Sequence, residues 1–141
     1  MTNYSITPER FETLAYKSLE GVKDAKNEYM GILCPLRGGF FLSYFMSRHL
    51  KLPIFYLEIS SYIGKEQREF QIGLKPDLKA GPFLLCDDIY DSGKTIEKIH
   101  EMYPHVEFDT VCLVSKIEDA DIIYGELVEK DRWVDFYWEV L

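Results

Sequence analysis

Residues 83–99, Phe-Leu-Leu-Cys-Asp-Asp-Ile-Tyr-Asp-Ser-Gly-Lys-Thr-Ile-Glu-Lys-Ile, constrain this chain more than any other stretch. The run Phe83, Leu84, Leu85 and Cys86 is continuously apolar, which predicts a strand buried in a parallel sheet. Two carboxylates, Asp87 and Asp88, end it. A small polar turn follows, Asp91-Ser92-Gly93, and then Lys94, Thr95, Ile96 and Ile99 predict the start of a helix. A strand, a polar turn and a helix N-terminus make an anion site, because unpaired backbone N–H groups converge there with the positive end of the helix dipole. Gly93 lets the backbone approach a phosphate closely. Ser92 and Thr95 add hydroxyl donors.

Gly93-Lys94-Thr95 matches the end of a P-loop. That motif needs a further glycine at position 88, where this chain has Asp88, whose charge would sit where a triphosphate must go. Two carboxylates ahead of a monophosphate cradle suit a sugar phosphate better. They can accept from vicinal ribose hydroxyls or hold Mg²⁺ through water while the turn takes a 5′-phosphate. An ordinary strand-to-helix turn with capping residues is the simpler alternative.

The chain has 141 residues, enough for one domain with a sizeable core, expected to span 1–141. Hydrophobic residues make up 47%, which argues against disorder. The sequence has no apolar run of membrane-spanning length and no signal-peptide pattern, so a cytoplasmic protein without an integral membrane segment is expected. The formal net charge of -8 argues against broad nucleic-acid binding. An anionic substrate must then be met by local cations or Mg²⁺ and not by the field of the whole protein. Cys34, Cys86 and Cys112 each close an apolar run, and their spacing suggests buried thiols, not a zinc site or a disulfide framework.

Thr7-Pro8-Glu9 predicts a helix start, and Phe11, Leu14, Ala15 and Leu19 continue it at helical spacing to a stop at Gly21. Tyr29 to Cys34 reads as a strand, Pro35 to Gly39 as a loop, and Phe41 to Leu50 as an amphipathic helix. Pro53 precedes a second strand, Ile54 to Ile59. Residues 75–82 read as a linker, Met102-Tyr103-Pro104 as a helix end, and Phe108 to Val114 as another strand. Alternating strands and helices predict a mainly parallel α/β sheet with right-handed crossovers. Ligands then bind beyond the carboxyl ends of the strands, where the loops at 35–39, 60–71, 87–95 and 115–118 would meet.

Two adjacent acids after an apolar strand, followed by Asp91-Ser92-Gly93-Lys94-Thr95, resemble the phosphoribosyl pyrophosphate (PRPP) loop of the type I phosphoribosyltransferases. The resemblance runs in order from about Ile6 to Glu139 and implies that family's fold, with a hood built from the chain ends, here about 131–141. Arg37-Gly38-Gly39 can wrap a diphosphate with backbone N–H groups while Arg37 supplies charge. One strand–helix unit ahead of the acidic loop, it resembles the family's pyrophosphate loop. The family often has a small residue where Leu36 stands, and a non-proline cis peptide is common there.

Residues 60–71 are polar and poorly periodic, which reads as a solvated hairpin or, by resemblance, as the flexible lid that closes over PRPP. Ser61-Tyr62 and Gln67-Arg68-Glu69 are similar to the bacterial xanthine-guanine enzymes, which implies that Arg68 reaches the pyrophosphate. Lys116, just past a strand, reads as a solvated lysine when taken alone. In the 6-oxopurine enzymes a lysine in this place donates to the purine O6. Residues 131–139 place Trp133 and Trp138 on opposite faces of a terminal strand. By resemblance Trp133 stacks on the purine, and backbone groups of Val134 and Glu139 read its 2-position. Tyr137 replaces a proline common in the family.

The resemblance implies transfer of the phosphoribosyl group from PRPP to a 6-oxopurine (xanthine, guanine or hypoxanthine) in purine salvage, with Mg²⁺ as cofactor and a homodimer or homotetramer as the assembly. Asp87 and Asp88 would hold the ribose, and Asp88 the metal. Asp91, near the base N7, is the candidate general base or acid. Two alternatives stay open: a regulator that keeps this fold to sense PRPP, and a phosphoribosyltransferase acting on another base.

Overall fold

A computed structural model describes residues 2–63 and 68–140, with the side chains of Ile63, Arg68 and Val140 outside that description. The chain runs β1 (Tyr4–Ile6), α1 (Pro8–Asp24), β2 (Ile32–Leu36), α2 (Phe40–Leu50), β3 (Ile54–Ile63), β4 (Arg68–Ile72), β5 (Gly81–Tyr90), α3 (Lys94–Met102), β6 (Val106–Ser115), β7 (Ile122–Leu127) and β8 (Val134–Phe136). A short 3-10 helix, Tyr137–Val140, follows. Six strands form one sheet in the order β4-β3-β2-β5-β6-β7. Every neighbouring pair is parallel except β3 with β4. This is the mixed α/β architecture, mainly parallel and flanked by helices, that the alternating pattern predicts.

The continuous apolar runs are buried because both faces of the sheet are covered. Ile32, Leu84 and Cys86 point to one face, where Leu14, Ala15 and Leu19 of α1 and Leu42 and Met46 of α2 cover them. Leu33 and Leu85, one residue along each strand, point to the other face and meet Ile96 and Ile99 of α3. The two-residue period thus divides β2 and β5 between two hydrophobic layers. All three cysteines are buried and free, and burial pushes the Cys34 thiol up to about 11.

Local signals place the helix ends. The Thr7 hydroxyl accepts from the Arg10 N–H at 3.2 Å, and Pro8 opens α1. Gly21 does not stop this helix, which continues to Asp24. Its place is explained by packing: a methyl group at Gly21 would lie 2.6 Å from Cγ2 of Ile123 on β7. Further along the same crossing, a methyl group at Gly125 would lie 2.7 Å from the Leu14 carbonyl and 2.8 Å from that of Leu113. Both glycines let α1 settle onto an edge strand.

Several boundaries differ from expectation. The strand read from Tyr29 begins at Ile32, and β2 runs through Leu36, so the loop is confined to 37–39. The second strand continues to Ile63 and pairs antiparallel with β4, Tyr62 lying opposite Glu69. Of the lid region 60–71, residues 64–67 lie outside the described residues, and those on either side form this two-stranded extension. β5 continues to Tyr90, so Asp87 and Asp88 lie inside the strand and not beyond its end. β8 has only three residues, and Trp138 sits on the 3-10 helix, so the two tryptophans do not share a strand.

The chain ends meet in a second, two-stranded parallel sheet of β1 and β8, which forms the expected hood. Tyr4 fastens it. The Tyr4 ring lies between the guanidinium groups of Arg10, 5.1 Å from its centroid, and Arg132, 4.9 Å away. The Tyr4 hydroxyl donates to Glu126 and accepts from Arg10 Nη1 at 3.0 Å. The hood is therefore tied to α1 and β7.

Alanine ordinarily stabilises a chain over glycine. Here the Gly125 methyl would meet two backbone carbonyls that cannot rotate away. Gly125→Ala should lower stability by about 1–3 kcal/mol, read as a reduced chemical-denaturation midpoint. An unchanged or raised midpoint would show that α1 does not approach β7 this closely.

Candidate active site

The chain leaves β2 through α2 toward β3 and leaves β5 through α3 toward β6, on opposite sides. β2 and β5 are neighbours, so their carboxyl ends border the crevice where the strand order reverses, the usual ligand position in such sheets. An open cleft of about 1420 Å³ lies there, lined among others by Arg37, Gly38, Phe41, Glu58, Asp88 and Trp138. Glu139 lines it as well.

The loop after β2 and strand β5 meet in this cleft at van der Waals distance. A methyl group at Gly38 would stand 2.6 Å from Asp88 Oδ2, and one at Gly39 would stand 2.4 Å from the Cys86 carbonyl. Only glycine lets the Arg37 loop lie against β5. The Leu36–Arg37 peptide is cis, as the family pattern implies despite the bulky Leu36.

Asp87 Oδ1 accepts the Asp88 N–H at 2.9 Å, and Asp88 Oδ1 accepts the Ile89 N–H at 2.8 Å. Burial pushes the Asp87 carboxyl well above the usual carboxylate range, and the Asp88 charge adds to the shift. Burial also raises Asp88, and the Glu139 charge adds to that, while hydrogen bonds from Asp87 and the Ile89 backbone hold it down. Two neighbouring, half-buried acids thus stand side by side at the cleft. Their oxygens suit a hard cation such as Mg²⁺, which takes one or two carboxylates and completes its shell with water and substrate oxygens. Among the described residues no group of three or more potential ligands is arranged to hold a metal alone.

The turn after β5 leads directly into α3. Gly93 has φ +79° and caps α3, a conformation that favours glycine. A methyl group there would also lie 2.8 Å from the Tyr90 hydroxyl. Ser92 Oγ accepts the Lys94 N–H at 3.4 Å, and the Glu97 N–H reaches the Gly93 carbonyl at 2.9 Å. The first-turn N–H groups of Thr95 and Ile96 have no acceptor within the helix and face the turn. Lys94 turns to Glu97, at 3.8 Å on the surface.

Lys116 is not a solvated lysine. Its side chain is only 10% exposed, and Nζ lies 3.9 Å from Asp91 Oδ2. The Lys116 N–H donates to the Tyr90 carbonyl at 2.9 Å, so the loop after β6 is fastened to the end of β5. Ile117-Glu118-Asp119 stands where the family often has proline. Here Ser115 Oγ closes the loop by donating to the Ile117 carbonyl at 2.6 Å and accepting its N–H at 3.2 Å.

The structure thus gathers Arg37, Gly38 and Asp88 along the cleft, and it pairs Asp91 with Lys116 beside the 91–95 turn. The Arg68 side chain lies outside the described residues. Trp133 does not line the cleft; it is 63% exposed. Val134 sits opposite Tyr4 on β1, and the Tyr4 N–H bonds the Trp133 carbonyl at 2.8 Å. In a parallel ladder of this register the backbone groups of Val134 point away from β1. Sequence reasoning missed Glu58, which lines the cleft from β3 and accepts the Leu74 N–H at 3.3 Å. It also missed Trp138, which stacks on Phe41 with ring centroids 4.5 Å apart. The helical spacing of Phe41 marks it as core, and nothing local in the sequence says that a tryptophan nearly 100 residues on will cover it.

A raised native pKa means that ionising Asp87 costs folding free energy. The stability is present below the unfolded pKa and is lost as pH rises through the native one. Asn keeps the oxygen that accepts the Asp88 N–H. Without divalent cations, Asp87→Asn should therefore raise Tm at neutral pH by about 3–5 °C and should lose this advantage in acid. An equal or lower Tm at neutral pH would mean that the pair is not under electrostatic strain.

The family model described as the phosphoribosyl transferase domain matches residues 2–140. A curated relative, the xanthine-guanine phosphoribosyltransferase of Vibrio atlanticus (strain LGP32), is 29% identical over 139 residues, covering 96% of this chain and 88% of that protein. Among solved structures, a Helicobacter pylori xanthine-guanine-hypoxanthine phosphoribosyltransferase superposes with a TM-score of 0.81 at 25% identity, covering 98% of this chain and 94% of that one. A purine phosphoribosyltransferase from Pyrococcus horikoshii Ot3 shares the fold, with a TM-score of 0.79 at 23% identity and coverage of 98% and 94%. With the family model matching nearly the whole chain, the chain belongs to the phosphoribosyl transferase domain family.

Proposed function

We propose that this protein is a 6-oxopurine phosphoribosyltransferase that joins xanthine, guanine or hypoxanthine to the phosphoribosyl group of PRPP, releasing pyrophosphate, in purine salvage. The observation that carries the reading is the Asp91–Lys116 pair, 3.9 Å apart, beside the 91–95 turn. It sets a carboxylate and a mostly buried ammonium next to a monophosphate cradle. The resemblance of the whole chain to xanthine-guanine enzymes supports the same choice.

Each group then has a task. The N–H groups of the 91–95 turn, with Ser92 and Thr95, take the 5′-phosphate. The Asp87 and Asp88 carboxylates accept from the ribose hydroxyls. Asp88, open to the cleft, would hold Mg²⁺, which when bound neutralises the pyrophosphate and makes it a better leaving group. Arg37 and the backbone of Gly38 bind the pyrophosphate across the cleft, joined by Arg68 from β4. Lys116 donates to the purine O6. Asp91 accepts the proton relayed from the base at N7 as N9 bonds to the ribose C1. Trp133 offers an exposed indole face for stacking, and the outward backbone of Val134, with that of Glu139, reads the 2-position. A flat base would cover this exposed indole.

The test is a pyrophosphate-release assay with several bases. Lysine's ammonium is donor-only, so a 6-oxo group pairs with it and adenine's 6-amino group cannot. A site built around one hydrogen bond rejects the analogue lacking it by up to about 10⁴–10⁵-fold. Guanine, hypoxanthine or xanthine should be consumed and adenine should not. Lys116→Gln, which offers both a donor and an acceptor, should lose 6-oxopurine activity and narrow the gap. Efficient adenine turnover, or an unchanged base ratio in the variant, would remove Lys116 from the base site.

A further inference from the structure

Trp133 is 63% exposed, yet it is held at several points. Its indole Nε1–H donates to Asp135 Oδ1 at 2.7 Å. Trp133 and Asp135 flank Val134 and so project from the same side of β8, while the buried side chains of Val134 and Phe136 face the core. The second Asp135 oxygen, Oδ2, accepts from Asn3 Nδ2 at 3.2 Å. The Trp133 carbonyl is taken by the Tyr4 N–H, and Tyr4 is itself fixed between Arg10 and Arg132. A surface indole would normally sample several rotamers. This one is tied through a charge-assisted bond to a carboxylate that the opposite chain end holds in place.

We infer that Asp135 is a positioning residue for the purine: it fixes the Trp133 indole in the orientation that stacks on the base, with Asn3 fixing Asp135 in turn. The inference rests on the reading of Trp133 as the stacking residue. Asp135 does not touch the base. It spares the ligand the cost of ordering the indole, so its removal weakens base binding and leaves PRPP binding alone.

The experiment combines kinetics with the indole N–H signals in a ¹⁵N-labelled protein. The chain has 2 tryptophans, and Trp133→Phe assigns them. Asp135→Ala should shift the Trp133 indole signal upfield, raise the KM for guanine about three- to tenfold, and leave the KM for PRPP unchanged. Asp135→Asn keeps an acceptor oxygen and should restore most of the guanine KM. Asn3→Ala should move both readouts in the same direction by less, and it keeps the test available if Asp135→Ala folds poorly. An unmoved indole signal in the Asp135 and Asn3 variants would mean that the bond is absent. A moved signal with an unchanged guanine KM would mean that the bond does not position the base; either result overturns the inference. Failure of the stacking reading shows separately: guanine would then bind without moving the Trp133 signal of the unmodified protein, and Trp133→Ala would bind guanine normally.

Discussion

Everything at this site depends on the close approach of two strands that diverge. β2 and β5 lie side by side, and the chain leaves them in opposite directions. Gly38 and Gly39 let the loop after β2 press against Asp88 and the Cys86 carbonyl, with no room for a side chain. That contact brings an arginine-bearing backbone loop against a half-buried pair of carboxylates. Stability argues against such a pair: desolvation pushes both carboxyls up, and the Asp88 charge adds to the shift at Asp87 while the Glu139 charge adds to that at Asp88. The fold places this pair on a central strand whose apolar part is covered on both faces.

From this centre outward each strand end presents its own set of groups. The turn after β5 presents N–H groups and hydroxyls. The loop after β6 supplies Lys116, fastened back to Tyr90 so that the lysine and Asp91 share a position. The hood is small, with two strands of three residues each. Its order comes from Tyr4 between two guanidinium groups and from the Asn3–Asp135–Trp133 chain of hydrogen bonds.

Much of this was legible in the sequence. The double burial of the central strands shows as unbroken apolar runs, and the turn into α3 shows in the small polar residues Asp91, Ser92 and Gly93. What stayed hidden depends on distant partners. β1 and β8 are too short to carry a two-residue period, and each is a strand only because the other pairs with it. Asp87 and Asp88 look like a strand end because the apolar run stops at Cys86, yet the ladder with β6 carries the strand past them to Tyr90. Gly21 has the local look of a helix stop, and only the crossing with Ile123 explains it. Lys116 reads as solvated because nothing near it in sequence reports that Asp91 lies 3.9 Å away. Trp133 and Trp138 are alike in sequence, and only the fold separates an exposed, tethered indole from one packed on Phe41.

The central claim is that the crevice between β2 and β5 binds PRPP, with the Gly38 loop and Asp88 acting at one point. Calorimetric titration of PRPP into the unmodified protein and into Gly38→Ala, with and without Mg²⁺, tests it most directly. The added methyl would meet Asp88 Oδ2 at 2.6 Å. The account predicts Mg²⁺-dependent binding to the unmodified protein. In Gly38→Ala, binding should weaken by at least about tenfold, the equivalent of 1.4 kcal/mol, with the circular dichroism spectrum unchanged. Equal affinity in the variant, or PRPP binding indifferent to Mg²⁺, would contradict it.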